Sequence, residues 1–288
     1  MIRSLNSGVS GIQQFQEEMD VIGNNIANVN TTGFKSARVD FADAFSDTLR
    51  SSSAASGNSS GTPSIQIGSG VTTTSIRNIY TQGAVTRTGY STDLAVSGDG
   101  FFVVRDPVND SNYVTRAGNF RLDSNNFLTN DNGLHVQGFT DPGLTTRGDI
   151  VIDASQRPSN IDPTATMSSY SIDTEGKITI KMSDGSEFVR GQILMQRFSD
   201  PQSLQKEGLN LYSGIGSAGP LGGNSSPTAE APGTNGLGRI ESGALELSNV
   251  DLAGEFTSMI TTQRAFQASA RVITTSDEML QELVNLKH

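Results

Sequence analysis

Apolar residues recur at helical spacing at both ends of this chain and are broken into short runs between them. This pattern limits the fold more than any other feature. Over residues 1–30, Leu5, Val9, Ile12, Phe15, Met19, Ile22 and Ile26 follow one another at steps of three and four. Over 250–287, Leu252, Phe256, Met259, Phe266, Ala270, Ile273, Leu280 and Val284 mark a second helix. At ~1.5 Å per residue, helices over 3–28 and 250–287 would be ~39 and ~57 Å long. The first also carries Gly8, Gly11 and Gly23, each costing roughly 1 kcal/mol against Ala in a helix interior. Packing has to offset that cost. Ser4, Gly8 and Gly11 lie within ~60° of one another at 3.6 residues per turn, beside the Leu5/Val9/Ile12 stripe. Small residues next to an apolar seam let another helix come close. Two arrangements fit: a helix hairpin within the chain, or a seam that also packs against copies of it. The two ends can meet only if the middle of the chain brings them together.

The middle reads as β structure. LAV (94–96) and FFVV (101–104) flank the turn SGDG, YSI (170–172) and KITIKM (177–182) flank DTEG, and EFVRGQILMQRF (187–198) follows SDGS. Short runs between Gly and Asp turns predict an antiparallel β domain. SSSAASGNSSGTP (51–63) and GPLGGNSSPTAEAPGTNG (219–236) have linker composition. The first helix runs into NNIANVNTTGFK (24–35), whose Asn and Thr side chains compete for backbone groups and end a helix. Gly33 is suited to the left-handed residue that closes a helix, with Phe34 anchoring the exit. Ser248 and Asp251 have capping-box spacing before the last helix, and TTSDE (274–278) lies inside a run read as continuous. Phe41 and Phe45, four apart, suggest one helical face or a packed pair.

The chemistry that this chain can perform is narrow. Among 288 residues there is no Cys and there are two His, His135 and His288. Thiolate catalysis, disulfides, Cys-type zinc sites and His-centred triads lack their raw material. The net charge of −10 disfavours nucleic acid and anionic membranes. No apolar core of a signal peptide precedes residue 25, so neither a cleaved signal nor membrane insertion is expected. GIGSAG (214–219) matches a dinucleotide pattern but precedes Pro220 and a Gly/Ser/Pro stretch instead of a helix, and reads as a loop. DSNNFLTNDNG (123–133) lacks EF-hand spacing and reads as a hairpin, and His135 as a strand-surface residue. No enzyme, cofactor or metal is expected.

Several motifs, in order, then point to a family. MDVIGNNIANVNTTGFK (19–35), TDLAVSGDGFFVV (92–104) with YVTRAGNFRLDSNNFL (113–128), and GALELSNVDLAGEFTSMITTQRAFQASARVITTSDEMLQELVNL (243–286) resemble the bacterial flagellar rod and hook axial proteins. The ALE-SNVDL portion is most similar to the hook protein. Asn24, Asn25, Asn28, Gly33 and Phe34 carry the N-terminal signature.

The resemblance implies an α+β chain in which the terminal helices, 1–30 and 245–288, pair as a coiled coil (D0). Residues 31–70 would link them to a β-rich D1 domain at 71–244. A loop at 145–168 stands where longer hook proteins insert an outer domain, which would be absent or vestigial here. It also implies a subunit of the hook, the flexible tubular joint between rod and filament, located outside the cell. The assembly surface would be Leu5, Val9, Ile12, Phe15, Met19, Ile22 and Ile26 with Leu252, Phe256, Met259, Phe266, Ile273, Leu280 and Val284. The implied partners are copies of the chain, the rod, the hook cap, the hook–filament junction proteins and the type III export apparatus. The alternative within the family is the distal rod protein, a rigid drive shaft, which is also built without an outer domain. A secreted β-rich adhesin, a reading outside the family, would need an aromatic platform, and the chain has no Trp and five Tyr.

Overall fold

The computed structural model describes residues 2–54, 60–158, 161–162, 164–221 and 229–286. The chain folds into two compact units. The first lies within residues 1–28, 36–79 and 250–288, and the second within 29–35 and 80–249.

In the first unit α1 (Ile2–Ala27) and α2 (Leu252–Asn285) accompany two antiparallel strand pairs. β1 (Ala37–Asp43) pairs with β4 (Val71–Asn78), and β2 (Ser46–Arg50) with β3 (Ile65–Gly68). The stretch expected as a connection at 31–70 therefore carries three strands, while residues 55–59 of its Ser-rich part lie outside the described residues. α1 ends as its asparagines dictate: the Asn28 side chain donates to Asn24 O at 2.9 Å and to Asn24 Oδ1 at 3.0 Å. α2 is capped by Asp251, whose carboxylate accepts from Ala253 N at 3.1 Å, so the cap is Asp251 and not Ser248. α2 runs unbroken through 274–278. Phe41 and Phe45 do not share a helical face, because residues 37–43 pair with β4 as a strand. Phe41 meets Phe15 edge-to-face at 6.1 Å, and Phe45 is 84% exposed.

The second unit is built on an antiparallel path of strands. Its order is Met167–Ile172, Lys177–Met182, Glu187–Ile193, His135–Phe139, Phe101–Arg105, Asn112–Thr115, Leu211–Ser213 and Gln205–Gly208. The run FFVV has no polar alternation because both of its faces are covered. Phe102 and Val104 join one buried cluster and Phe101 and Val103 join another. Gly176 and Gly185 take positive φ in the turns DTEG and SDGS that close the successive hairpins, as the turn residues predict. Leu94–Ser97 does not pair across SGDG. It pairs with Arg239–Ser242, from the far end of the unit. Residues 123–133 form the expected hairpin, Phe120–Leu122 against Leu128–Asn130. GIGSAG is a turn with Gly214 and Gly219 at positive φ. Residues 145–168 hold the strand Arg147–Asp149 and send Ile150, Ile152 and Ile161 into the core; residues 159, 160 and 163 lie outside the described residues. So do 222–228 of the second Gly/Ser/Pro stretch, and His288.

His135 is not a surface residue. Its ring stacks on Phe127 at 4.5 Å and its Nδ1 lies 2.8 Å from Asp149 Oδ2. Asp149 also accepts from Arg105 at 3.0 and 2.6 Å and from Gln137. Burial pushes the Asp149 carboxyl up, but the hydrogen bonds from Arg105, His135 and Gln137 outweigh it and hold the group below its ordinary value. A carboxyl lowered by folding adds stability above its unfolded value of about 3.9, and this is lost as pH falls through the lower folded value. Asp149→Asn should cost about 1–3 kcal/mol at neutral pH. It should also flatten the acid limb of stability, read by urea unfolding between pH 2 and 7.

Candidate assembly interface

The two helices of the first unit run antiparallel and meet along small and polar residues. Ser4 and Ser276 place their hydroxyls 3.4 Å apart. A Cβ on Gly8 would lie 3.1 Å from Ile273 Cγ1, and one on Gly11 would lie 3.0 Å from Ser269 Oγ. Thr262 Oγ1 donates to Glu18 at 3.0 Å, and Asn25 Nδ2 donates to Glu255 Oε1 at 3.0 Å. Positions 4, 11, 18 and 25 of α1 thus face 276, 269, 262 and 255 of α2, a step of seven on each helix. A seven-residue repeat keeps one stripe of each helix on the other. The close approach uses the glycines as the sequence suggested. A Cβ at either position would press on a side chain of α2, which would have to give by a few tenths of an ångström.

Asn25 is the corner of this unit. Its amide donates to Ala37 O at 2.8 Å and accepts from Ala37 N at 3.0 Å, which imitates a strand neighbour at the start of β1, while the same nitrogen reaches α2. Burial pushes the Glu255 carboxyl up, and the Asn25 hydrogen bond opposes it.

The apolar residues anticipated as an assembly surface fall into two groups. Ile22 is buried, and Leu5, Ile12, Phe15, Met19, Ile26, Met259, Phe266, Ile273 and Leu280 are half-buried. Val9, Leu252, Phe256 and Val284 are exposed. Further apolar side chains are exposed that the sequence reading passed over: Ile260, Val272, Met279 and Leu283 on α2, and Phe45, Leu49, Ile65 and Ile67 around β2 and β3. The signal for the last group was present as the alternation in Ile65-Gln66-Ile67, hidden by the Ser- and Gly-rich residues before it.

The rest of the signature segment belongs to the second unit, where a buried ion cluster holds it. Lys35, Glu246 and Arg116 are all buried. Lys35 Nζ lies 2.6 Å from Glu246 Oε1 and donates to Thr81 O at 2.7 Å. Arg116 Nη1 lies 3.3 Å from Glu246 Oε2, and Gly83 N donates to Oε1 at 2.9 Å. Burial pulls the Lys35 ammonium below its ordinary value, with Glu246 opposing. Gly33 is left-handed (φ 66°) but lies six residues past the end of α1, so it does not close the helix. Its conformation serves close contact instead. A Cβ there would lie 2.5 Å from Ala117 N, and Gly33 N donates to Glu246 O at 2.8 Å. Phe34 is buried beneath Lys206, whose Nζ sits 4.9 Å from the ring centre and donates to Lys35 O at 3.1 Å. Asn210 ties down Thr32 O at 3.0 Å. Composition signalled none of these partners, because they come from residues 81 to 246.

Among the described residues, no cluster of His, Asp and Glu could hold a metal, and no helix is long and apolar enough to cross a membrane. Three family models match in order along the chain. "Flagella basal body rod protein" matches residues 5–35, "Flagellar hook protein FlgE/F/G D1 domain" matches 95–180, and "Flagellar basal body rod FlgEFG protein C-terminal" matches 241–286. The flagellar basal-body rod protein FlgG of Bacillus subtilis is 44% identical over 287 residues, covering 100% of each chain. The FlgG of Borreliella burgdorferi is 34% identical over 290 residues, covering 100% of this chain and 99% of its own. The flagellar hook protein FlgE of the same organism is 29% identical over 450 aligned positions, covering 100% of both. A solved Helicobacter pylori hook protein FlgE2 superposes with a TM-score of 0.22 at 18% identity, over 49% of this chain and 32% of that one, too poorly to bear on the fold. The chain belongs to the flagellar rod and hook protein family, a structural family of the bacterial flagellum.

Breaking a buried ion pair by removing one partner costs about 3–5 kcal/mol, whereas an apolar pair of similar volume is often neutral. Glu246→Gln should therefore destabilise the second unit by about 3 kcal/mol or more. Adding Lys35→Met should recover part of that loss. The measurement is a double-mutant cycle in urea, with single losses that simply add counting against the cluster.

Proposed function

We propose that this chain is the subunit of the distal rod, the rigid drive shaft of the flagellar basal body, and that it polymerises into a tube. One observation carries the choice of rod over hook. The rod relatives match this chain end to end over 287 and 290 residues, whereas the hook relative needs 450 aligned positions to contain it. The hook relative thus has a large insertion that this chain lacks. The expectation of a hook subunit outside the cell gives way to that of a rod subunit in the basal body.

The surface supports assembly. The α1–α2 seam is read as one pair of an inner coiled-coil layer. Leu252, Phe256, Ile260, Val272 and Met279, exposed in the single chain, are read as the contacts to neighbouring copies. Identical contacts repeated by a rotation that does not close build a helical tube. The exposed apolar residues of β2 and β3 are read as further contacts that stiffen it. The proposed partners are copies of this chain, the neighbouring rod and hook proteins and the type III export apparatus.

Purified full-length chain should polymerise into straight tubes seen by electron microscopy, while curved or supercoiled tubes would return the assignment to the hook. Phe256→Asp buries a charge in the proposed contact and should raise the concentration needed for assembly at least about tenfold. The circular dichroism of the dilute monomer should stay unchanged. Assembly at the normal concentration would remove this face of α2 from the interface.

A further inference from the structure

The second unit of this acidic protein contains a buried site with the opposite balance of charge. Two buried cations, Lys35 and Arg116, share one buried carboxylate, Glu246. Lys35 has its needs met by Glu246 and Thr81 O. Arg116 does not. Its Nη1 reaches Glu246 at 3.3 Å, longer than a strong charge-assisted bond, and its Nη2 donates to Gly98 O at 2.9 Å. Its Nε is buried and has no partner. A guanidinium that is 97% buried with an unused donor is costly. Arg116 lines a cleft of about 240 Å³ whose other walls are Tyr80, Phe101, Phe198, Pro201 and Arg197, with Asp99 and Gly100 at its edge. The guanidinium carbon of Arg116 stands 5.1 Å from the centre of the Phe101 ring. Arg197 is loosely held, its Nε 3.9 Å from Asp99, itself largely exposed, and its Nη1 3.4 Å from Asn235 O. Two guanidinium groups and aromatic walls meet in one small space.

The geometry points to a carboxylate-binding pocket, with Arg116 and Arg197 as the cationic partners of a single carboxylate and Phe101, Phe198 and Tyr80 packing its apolar stem. The volume falls below the ~300 Å³ at which small-molecule and cofactor sites begin. It suits one acidic side chain or a small monocarboxylic acid. An incoming carboxylate satisfies Arg116 Nε, offsets the excess buried positive charge, and forms the planar paired hydrogen bonds that guanidinium favours. The same chemistry can come from two sources: a free carboxylate, or an Asp or Glu of a second copy of this chain, which has 30 such residues. The inference stands apart from the choice between rod and hook.

The test titrates sodium benzoate into the full chain below its assembly concentration and follows the Arg116 Nε–Hε signal by nuclear magnetic resonance. The expected result is a saturable shift that sodium chloride at the same ionic strength does not produce. Arg197→Gln, on a half-exposed side chain whose loss leaves the core intact, should weaken benzoate binding about tenfold or more. Asp99→Asn should tighten it by removing a competing carboxylate at the rim. No shift, an equal shift with chloride, or unchanged affinity in Arg197→Gln overturns the proposal. Assembly in saturating benzoate separates the sources. A raised assembly concentration assigns the pocket to an acidic side chain of a second copy. Unchanged assembly together with binding assigns it to a free carboxylate.

Discussion

The side chain and backbone of Glu246 hold together the passages of the chain that leave the β domain. The carboxylate takes Lys35, Arg116 and Gly83 N, and the carbonyl takes Gly33 N. Residues 29–35, 81–84 and 244–249 are the segments by which the second unit gives way to the first, and all of them touch this residue or its neighbours; Asn249, for example, bonds Thr81 O at 3.2 Å. α1 and α2 stand at opposite ends of the sequence, and closing so long a loop costs entropy that a helix seam of small residues would struggle to meet alone. The β domain brings residue 35 to residue 246, which shortens the loop that the helix pair has to close. A buried charge cluster suits this task. It is stable only when nearly every group finds its partner, so it specifies one way of bringing these segments together.

The sequence showed the outline of this fold and not its joints. Helical periodicity identified α1 and α2, and the Gly and Asp turns identified the antiparallel domain, because those signals are local. The pairing of Leu94–Ser97 with Arg239–Ser242 and the ion cluster rest on residues more than a hundred positions apart, and one sequence carries no local mark of them. The helix seam was half-legible. Ser4, Gly8 and Gly11 mark the place of close approach in the sequence, but Glu18, Asn25, Glu255, Thr262 and Ser276 carry no apolar signal beside the stripe. A seam of small and polar residues looks, by hydropathy, like a solvent face. Gly33 is a related case: its left-handed backbone is legible in the local sequence, but the contact that requires it, with Arg116 and Ala117, is more than eighty residues away.

This inversion of the usual pattern explains the surface. Helices that meet through Ser, Gly and Thr keep much of their apolar surface for the outside. On α2 the inward positions include Thr262 and Ser276, both buried, whereas Phe256 and Ile260 are exposed; Leu283, also exposed, is the next step of seven past Ser276 and has no residue of α1 opposite it. The β domain does the opposite. Its large apolar residues are gathered into two clusters, and its exposed ones, such as Tyr90, Val108 and Leu209, stand singly at distant points of the sequence. Scattered apolar residues of that kind are normal for a protein surface, and a crowded apolar helix face is not.

The division of roles follows from the energetics. At roughly 25 cal/mol per Å² of apolar surface removed from water, a helix face burying a few hundred square ångströms on each neighbour contributes several kcal/mol per contact. The net charge of −10 works against association by mutual repulsion, so copies approach each other at a cost that the apolar helices must exceed. In the proposed tube, repeated apolar helix contacts would have to outweigh that repulsion before copies lock together. Cohesion on the helices would also free the polar β surface to vary among relatives without loss of the tube. On the proposed reading one plan would serve both rod and hook, and stiffness would follow from how much additional apolar surface, such as that of β2 and β3, is engaged between copies.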